Sequence, residues 1–450
     1  MNKFSWELQN LVIALAASSC STLPTTETFF TIVIGWLLCS GKRTTSGIIR
    51  AAGPHATKSH DTYHHFFSLA KWSMEELSRM FFLCTIHLLN LTNTLVWIAG
   101  DDTLAKHYGR KIYGAGSFRD AVRSSKKHIA YAWGHNWVVL VLIVAVPFLQ
   151  GKLIAIPIYA RLNPKKDAAS KKGRGSKKKK TTVTIMAEMI TTVTQWLPDA
   201  QFMFCGDGAY AGISKYLPAN VTLVSRIRCD AAIFEQLKEK KGKKRPSGRP
   251  AQKGKRLPSP EKKAQSDNGW KEYTLVLYGK KVKRHIQSYT VVWPEGCLYE
   301  PILIVTVKDP AGECRTEYFF STDPKMTPEK ILYIYTGRWP IEVVFRESKQ
   351  YLGLQDGQAR TQKAVEKITP FCLWLNALIK VWFISDYRNA KTFTPTIDDW
   401  YTDKSTISFQ DMLAALRRQY WENCIFETST NHDDFEKFQS HLLNVLTRVG

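Results

Sequence analysis

Apolar positions in the first part of the chain recur with the spacing of buried helices. Leu11–Ala17 and Phe29–Cys39 are near-continuous apolar runs, and Leu77, Met80, Phe81 and Cys84 share one helical face. Ser73 fits the N-cap of that last helix, with Glu76 completing a capping box. From Leu95 the pattern shortens to strands. Leu95–Ala99 is an apolar run that ends at Gly100-Asp101-Asp102-Thr103. Val138–Val144 is β-branched and continuous, and Gly151-Lys152 turns it into a second strand over Leu153–Tyr159, so this apolar stretch predicts a core hairpin. Thr181–Leu197 returns to helical spacing, with Ile185, Met189, Val193 and Trp196 on one face. Gln201–Cys205 then reads as a strand running into Gly206-Asp207-Gly208, and Val221–Ile227 as the next. Strand patterns fill Tyr273–Phe320, and helices occupy Thr327–Tyr387 and Ser408–Val449. Strands and helices that alternate around two acidic strand ends predict a mixed α/β core.

Charge narrows the partners. Sixty-three Lys and Arg against thirty-nine Asp and Glu leave +24, a surface that attracts polyanions. Much of the excess lies in two low-complexity stretches, Pro164–Lys180 and Lys238–Arg256, whose Lys, Gly, Ser and Pro suit loops that contact a phosphate backbone. Nine scattered cysteines with no CxxC pair exclude a zinc-ribbon or disulfide framework and fit a reducing cytoplasm. The histidines at 55, 60, 64 and 65 lack metal-site spacing and read as surface and loop residues. No apolar run is both long and uninterrupted enough to predict a membrane span, and no secretory signal is read at the N-terminus.

Three acids stand out by context. Asp101 and Asp207 each follow an apolar strand, and Glu342 opens a helix after Pro340. Carboxylates at adjacent strand ends, joined by one from a helix, form a hard oxygen site of the kind Mg²⁺ and Mn²⁺ favour. Each alone is also explained as a cap or turn. Around Glu342, however, Arg346 and Lys349 follow at i+4 and i+7 on one helix face, with Tyr335 and Arg338 ahead of a break at Gly337 and Pro340. Cations beside an acid suit a clamp on phosphates of a bound strand.

Tyr335-x2-Arg338-x3-Glu342-x6-Lys349 resembles the Tyr-Arg-Glu-Lys signature of bacterial insertion-sequence transposases of the DDE type. Asp101-Asp102-Thr103 and Phe204-Cys205-Gly206-Asp207-Gly208-Ala209-Tyr210 resemble the two aspartate motifs of that family. So do the flanks Phe320–Asp323 and Lys349–Leu354, and the likeness spans residues 45–385. The resemblance implies an RNase H-like core with a β-rich insertion. It implies Asp101, Asp207 and Glu342 as ligands of two Mg²⁺ ions, with Mn²⁺ as a substitute, the Asp-x-Thr pattern favouring Asp101 over Asp102. Tyr335, Arg338 and Lys349 would hold phosphates, with Arg346 beside them, and Trp270 or Trp293 would either stack on a flipped base or pack internally.

The implied activity is metal-dependent cleavage at transposon ends followed by strand transfer. The implied partners are double-stranded DNA, as terminal inverted repeats and target, and a second copy in a synaptic homodimer, in the cytoplasm at the nucleoid. A transposase-derived DNA-binding protein that no longer cleaves is the alternative. The expected organisation is a helical DNA-binding region over 1–92, the first part of the core over 93–229 and the insertion with its basic loop over 230–320. The second part of the core follows over 321–390, and a helical region over 391–450.

Overall fold

The computed structural model describes residues 5–92, 94–109, 111–125, 127–165, 180–237, 252–266, 268–277, 279–387 and 406–426. The two basic stretches lie almost wholly outside these residues, as does the chain after Phe426. Five helices come first: α1 (Trp6–Ser19), α2 (Leu23–Leu38), α3 (Thr45–Ala52), α4 (His60–Ser68) and α5 (Met74–Leu88). Next are β1 (Val96–Lys106), β2 (Gly116–Arg119), β3 (Tyr131–Val146), β4 (Lys152–Asn163), α6 (Thr182–Trp196), β5 (Phe202–Gly206) and β6 (Val221–Arg226). Then follow α7 (Pro260–Ala264), β7 (Lys271–Leu277), β8 (Lys280–Val292), α8 (Pro294–Cys297), β9 (Pro301–Lys308) and β10 (Glu317–Ser321). The chain continues through α9 (Pro328–Thr336), α10 (Pro340–Tyr351), α11 (Gln362–Tyr387) and α12 (Phe409–Phe426). The expected mixed α/β class, with helices at both ends, is the observed one.

The chain forms two compact units. One contains Thr94–Asp101 and Lys179–Ile341. Its sheet is parallel where β1, β5 and β6 meet and antiparallel through β6, β10, β9, β8 and β7. The parallel strands are buried on both faces, which is why Phe202–Cys205 reads as an unbroken apolar run. Helix α6 starts with Thr181 in a reciprocal cap with Thr184 and presents Met186 to β1. A side chain at Gly100 would collide with that methionine and with Phe204, so only glycine lets helix and strand close there.

The other unit contains Met1–Asn93, Asp102–Lys178 and Glu342–Gly450. The hairpin of β3 and β4 carries its sheet, with β2 on the outer edge of β3. Gln150 and Gly151 turn the hairpin with positive φ, after a short 3-10 turn over Pro147–Leu149. Phe29, Phe66, Phe67, Trp72, Phe371 and Trp374 form one aromatic cluster that joins α2 and α4 to α11. Burying each such ring stabilises the fold by roughly 1.5–3 kcal/mol. Among the described residues α11 alone is long and apolar enough to cross a bilayer, but 89% of its most apolar window is buried inside the protein, which marks a core helix. All nine cysteines are free.

Two sequence expectations need correction, and a third lies partly outside the described residues. The first strand does not stop at Gly100: β1 continues through Asp101, Asp102 and Thr103 to Lys106. Ser73 caps α5 as expected, but the Glu76 side chain turns forward to make a bidentate pair with Arg79 instead of returning to the cap. The final helical segment is described only as far as Phe426.

One feature of this second unit has no sequence signature. Lys380 on α11 is buried and donates to Glu347 of α10 at 2.7 Å and to the Ala155 carbonyl of β4 at 3.1 Å, while Asn376 donates to the same glutamate. The pair fixes α10 against α11 and β4. Removing one member strands the other charge in an apolar core, at a cost of roughly 3–5 kcal/mol. Lys380→Ala should therefore lower the melting temperature by several degrees, as read by differential scanning calorimetry; a melting temperature within one degree of wild type would show that the pair is not structural.

Candidate active site

The parallel pairing of β1 and β5 sets the site. Val96 to Gly100 pair residue for residue with Phe202 to Gly206, so Asp101 and Asp207 each follow the last registered pair. The two aspartates thus follow the same end of the pairing on neighbouring strands. Asp207 is extended and caps the 3-10 turn Gly208–Tyr216, one carboxylate oxygen accepting from the Ala209 N–H at 2.9 Å. Its carbonyl accepts from the hydroxyl of Ser225, a fully buried residue on β6, at 2.8 Å. The backbone of Asp207 is therefore held from the adjacent strand while its carboxylate reaches the rim.

Asp101 meets a cation. Arg338, in the turn between α9 and α10, sends Nη1 to Asp101 Oδ2 at 2.7 Å, with the two side chains only 11% and 19% exposed. At that degree of burial a charge-assisted bond is strong and directional. Tyr335, one turn earlier, is buried against Phe319 and lies between two guanidinium groups, Arg226 at 5.2 Å and Arg338 at 6.0 Å. Burial pushes its hydroxyl up to about 12 despite both arginines, so it remains a protonated donor at neutral pH. The Cys205 thiol, on β5 two residues before Asp207, is likewise pushed up to about 12 by burial. It is a neutral, inert packing group.

Lys349 and Glu342 belong to the other unit. Lys349 donates to Thr103 Oγ1 at 3.0 Å, and its pKa is lowered by burial and then by Lys106, with Asp120 opposing. Lys106 is itself bound to Asp120 at 2.7 Å. Glu342 is half-buried in the first turn of α10, and Arg346, one turn on, is exposed. The helix break expected at Gly337 and Pro340 is present, so the five signature residues occupy two helices and the turn between them. Among the described residues no group of three or more His, Cys, Asp or Glu side chains is drawn together tightly enough to hold a metal ion. Trp293 is buried edge-on to Phe320, and Trp270 donates to the Ser266 carbonyl. Sequence reading missed Arg226 and Ser225. The first is an ordinary strand-end arginine in the sequence, and the second is one small residue in a β pattern.

Residues 21–296 match a family described as DDE superfamily endonuclease, a span that includes Asp101 and Asp207. The chain belongs to the DDE superfamily of endonucleases. Residues 280–384, which carry Tyr335, Arg338, Glu342 and Lys349, match a second family, described as archaeal putative transposase ISC1217. Together these make the protein a nuclease-type enzyme and a DNA transposase of the DDE insertion-sequence type, and its mixed α/β architecture agrees with an RNase H-like core. No curated protein shows significant similarity to the chain. As a transposase of this superfamily it acts on DNA with divalent metal ions.

Asparagine caps helical turns as well as aspartate does. Asp207→Asn in the transposase should therefore leave the melting temperature within about two degrees of wild type while removing the strand-end charge. A larger fall would mean that the carboxylate serves the fold and not the chemistry.

Proposed function

We propose that Asp101, Asp207 and Glu342 are the catalytic acids of the transposase and the ligands of two Mg²⁺ ions, with Mn²⁺ able to substitute. The observation that carries this is the registered end of β1 and β5, from which two carboxylates emerge side by side. The donor chemistry fits. The nearby sulfur, Cys205, is buried and protonated, so the strand ends offer hard oxygen donors and no thiolate, which suits Mg²⁺ and Mn²⁺ over Zn²⁺. Support for Glu342 is its place in the Tyr-Arg-Glu-Lys spacing, four residues after Arg338 in the chain. Bound as a pair, such ions activate the attacking oxygen and stabilise the leaving oxygen in phosphoryl displacement.

The residues themselves divide the remaining work. Arg338 fixes the orientation of the Asp101 carboxylate and neutralises charge beside the reacting phosphate. Tyr335 keeps its proton and offers it to a phosphate oxygen at the transposon end. Lys349, with Arg346 on the same helix, supplies cations for the phosphates of the terminal inverted repeat. The substrate is double-stranded DNA, cut at its repeats and joined to a target in a cut-and-paste sequence, by a homodimer that synapses two ends in the cytoplasm at the nucleoid. The helical region 1–92 contributes to DNA binding. The insertion 230–320 and the segments 321–390 and 391–450 complete the organisation around the core that begins at residue 93. The acids of both aspartate motifs are retained, which favours an active enzyme over a silent DNA-binding relative.

Plasmid cleavage with Mg²⁺ tests the assignment. Asp101→Ala, Asp207→Ala and Glu342→Ala should each reduce strand cleavage at least a hundredfold while DNA affinity changes by less than about threefold; cleavage at the wild-type rate by any one of them removes that residue from the catalytic set. Chelation should stop the wild-type reaction, and Mg²⁺ or Mn²⁺ should restore it. A second measurement concerns the clamp. Lys349→Ala should reduce the slope of log affinity against log salt by about one unit, as expected for one lost phosphate contact, whereas an unchanged slope would leave Lys349 with its Thr103 contact alone.

A further inference from the structure

The segment between β1 and the centre of β3 exposes three aromatic rings in a strongly basic neighbourhood. Tyr108 is 98% exposed, Tyr131 is 66% exposed and Trp133 is 40% exposed. Their arrangement follows from strand geometry. Tyr131 and Trp133 are two residues apart on β3 and so share one face. Across the antiparallel pair, Tyr131 lies opposite Arg119 and Trp133 opposite Ser117, which puts those side chains on the same face. The other face is occupied: Lys165 covers the Phe118 ring, and a side chain at Gly134 would strike the Ala105 backbone. The Trp133 indole is pinned by a 2.9 Å bond to the Gly109 carbonyl, which also fixes the loop that carries Tyr108.

The charge around these rings has one sign. Lys111, Arg119 and Lys127 are exposed, as is Arg123, which lies 3.9 Å from the neighbouring acid, Asp120; that acid is buried and bound more closely to Lys106. Exposed rings on a sheet edge are a liability unless something covers them. An apolar protein surface would leave Lys111, Arg119 and Lys127 uncompensated. A DNA duplex would satisfy the cations but hides its base faces within the stack. A strand with unpaired bases satisfies both, since cations follow its backbone and aromatic rings stack on its bases.

We propose that the β2–β3 face bearing Tyr131, Trp133 and Arg119, together with Tyr108, is a stacking platform for unpaired bases of a DNA strand. The choice of DNA rests on the transposase reading above; the recognition chemistry does not. In a strand-cutting enzyme the platform would receive a strand unpaired at or beside the cut.

Fluorescence anisotropy on the full chain tests this, with a labelled oligothymidine of about 20 nucleotides and a duplex of the same length as probes. Tyr108→Ala and Tyr131→Ala alter exposed side chains and should leave the fold intact. Each should weaken oligothymidine binding at least fivefold, within the range for loss of one stacked base, with duplex binding changed by less than twofold. Tyr131→Ala combined with Trp133→Ala should weaken it further. In the wild type, 5-iodouracil in the single strand should crosslink to Tyr108, Tyr131 or Trp133. Oligothymidine affinity within twofold of wild type in both single variants, an equal loss for duplex and single strand, or crosslinks only outside residues 108–133 would each overturn the proposal. The readout is binding, so it separates from the catalytic reading. A protein that binds single strands through these rings but never cuts DNA keeps the platform and loses the transposase mechanism.

Discussion

The register of one parallel strand pair governs the rest. Because Gly100 and Gly206 are the last partners between β1 and β5, two aspartates separated by a long stretch of chain emerge just past the same end of that pairing. A slip by one residue would turn one carboxylate to the opposite face, since strand side chains alternate. The register is protected by burial on both faces of β5 and by Gly100, where α6 approaches too closely for any other residue. The same packing that stabilises the core therefore fixes the spacing of the chemistry.

Around that end of the pairing the electrostatics are set by arginines. Arg338 binds Asp101, and Arg226 and Arg338 flank the buried Tyr335 ring. A carboxylate pair repels itself and draws counter-charge; the guanidinium groups supply it without offering an acceptor that could compete for a metal ion. Burial keeps Tyr335 and Cys205 protonated beside them. In the other unit the Glu347–Lys380 pair holds α10 by its buried side. It steadies the helix whose first turn carries Glu342 without using any group assigned to catalysis.

Much of this was legible in the sequence because the relevant patterns are local. The strand-length apolar runs before Asp101 and Asp207 are periodic and continuous, and the structure has strands there. The Tyr-Arg-Glu-Lys spacing is a short-range signature, and Gly337 and Pro340 within it predicted the helix break that is observed. What escaped was whatever depends on pairing across distance. β1 runs on past Asp101 to Lys106, although Gly100-Asp101-Asp102-Thr103 reads locally as a strand end. Glu76 had two competing partners in reach, and the arginine one turn ahead won over the cap. Lys380 looks like an exposed lysine in an apolar helix, and only its contact with Glu347 reveals a core ion pair. Arg226 and Ser225 matter through Tyr335 and Asp207, contacts that no spacing rule encodes.

The central claim is that the carboxylates just past the last β1–β5 pair, Asp101 and Asp207, bind divalent metal. Titration of the DNA-bound protein with Mn²⁺, followed by electron paramagnetic resonance of the free ion, measures this directly. The account predicts two bound ions per chain in the wild type and a loss of at least one in both Asp101→Asn and Asp207→Asn. Undiminished Mn²⁺ binding in those two variants would contradict it.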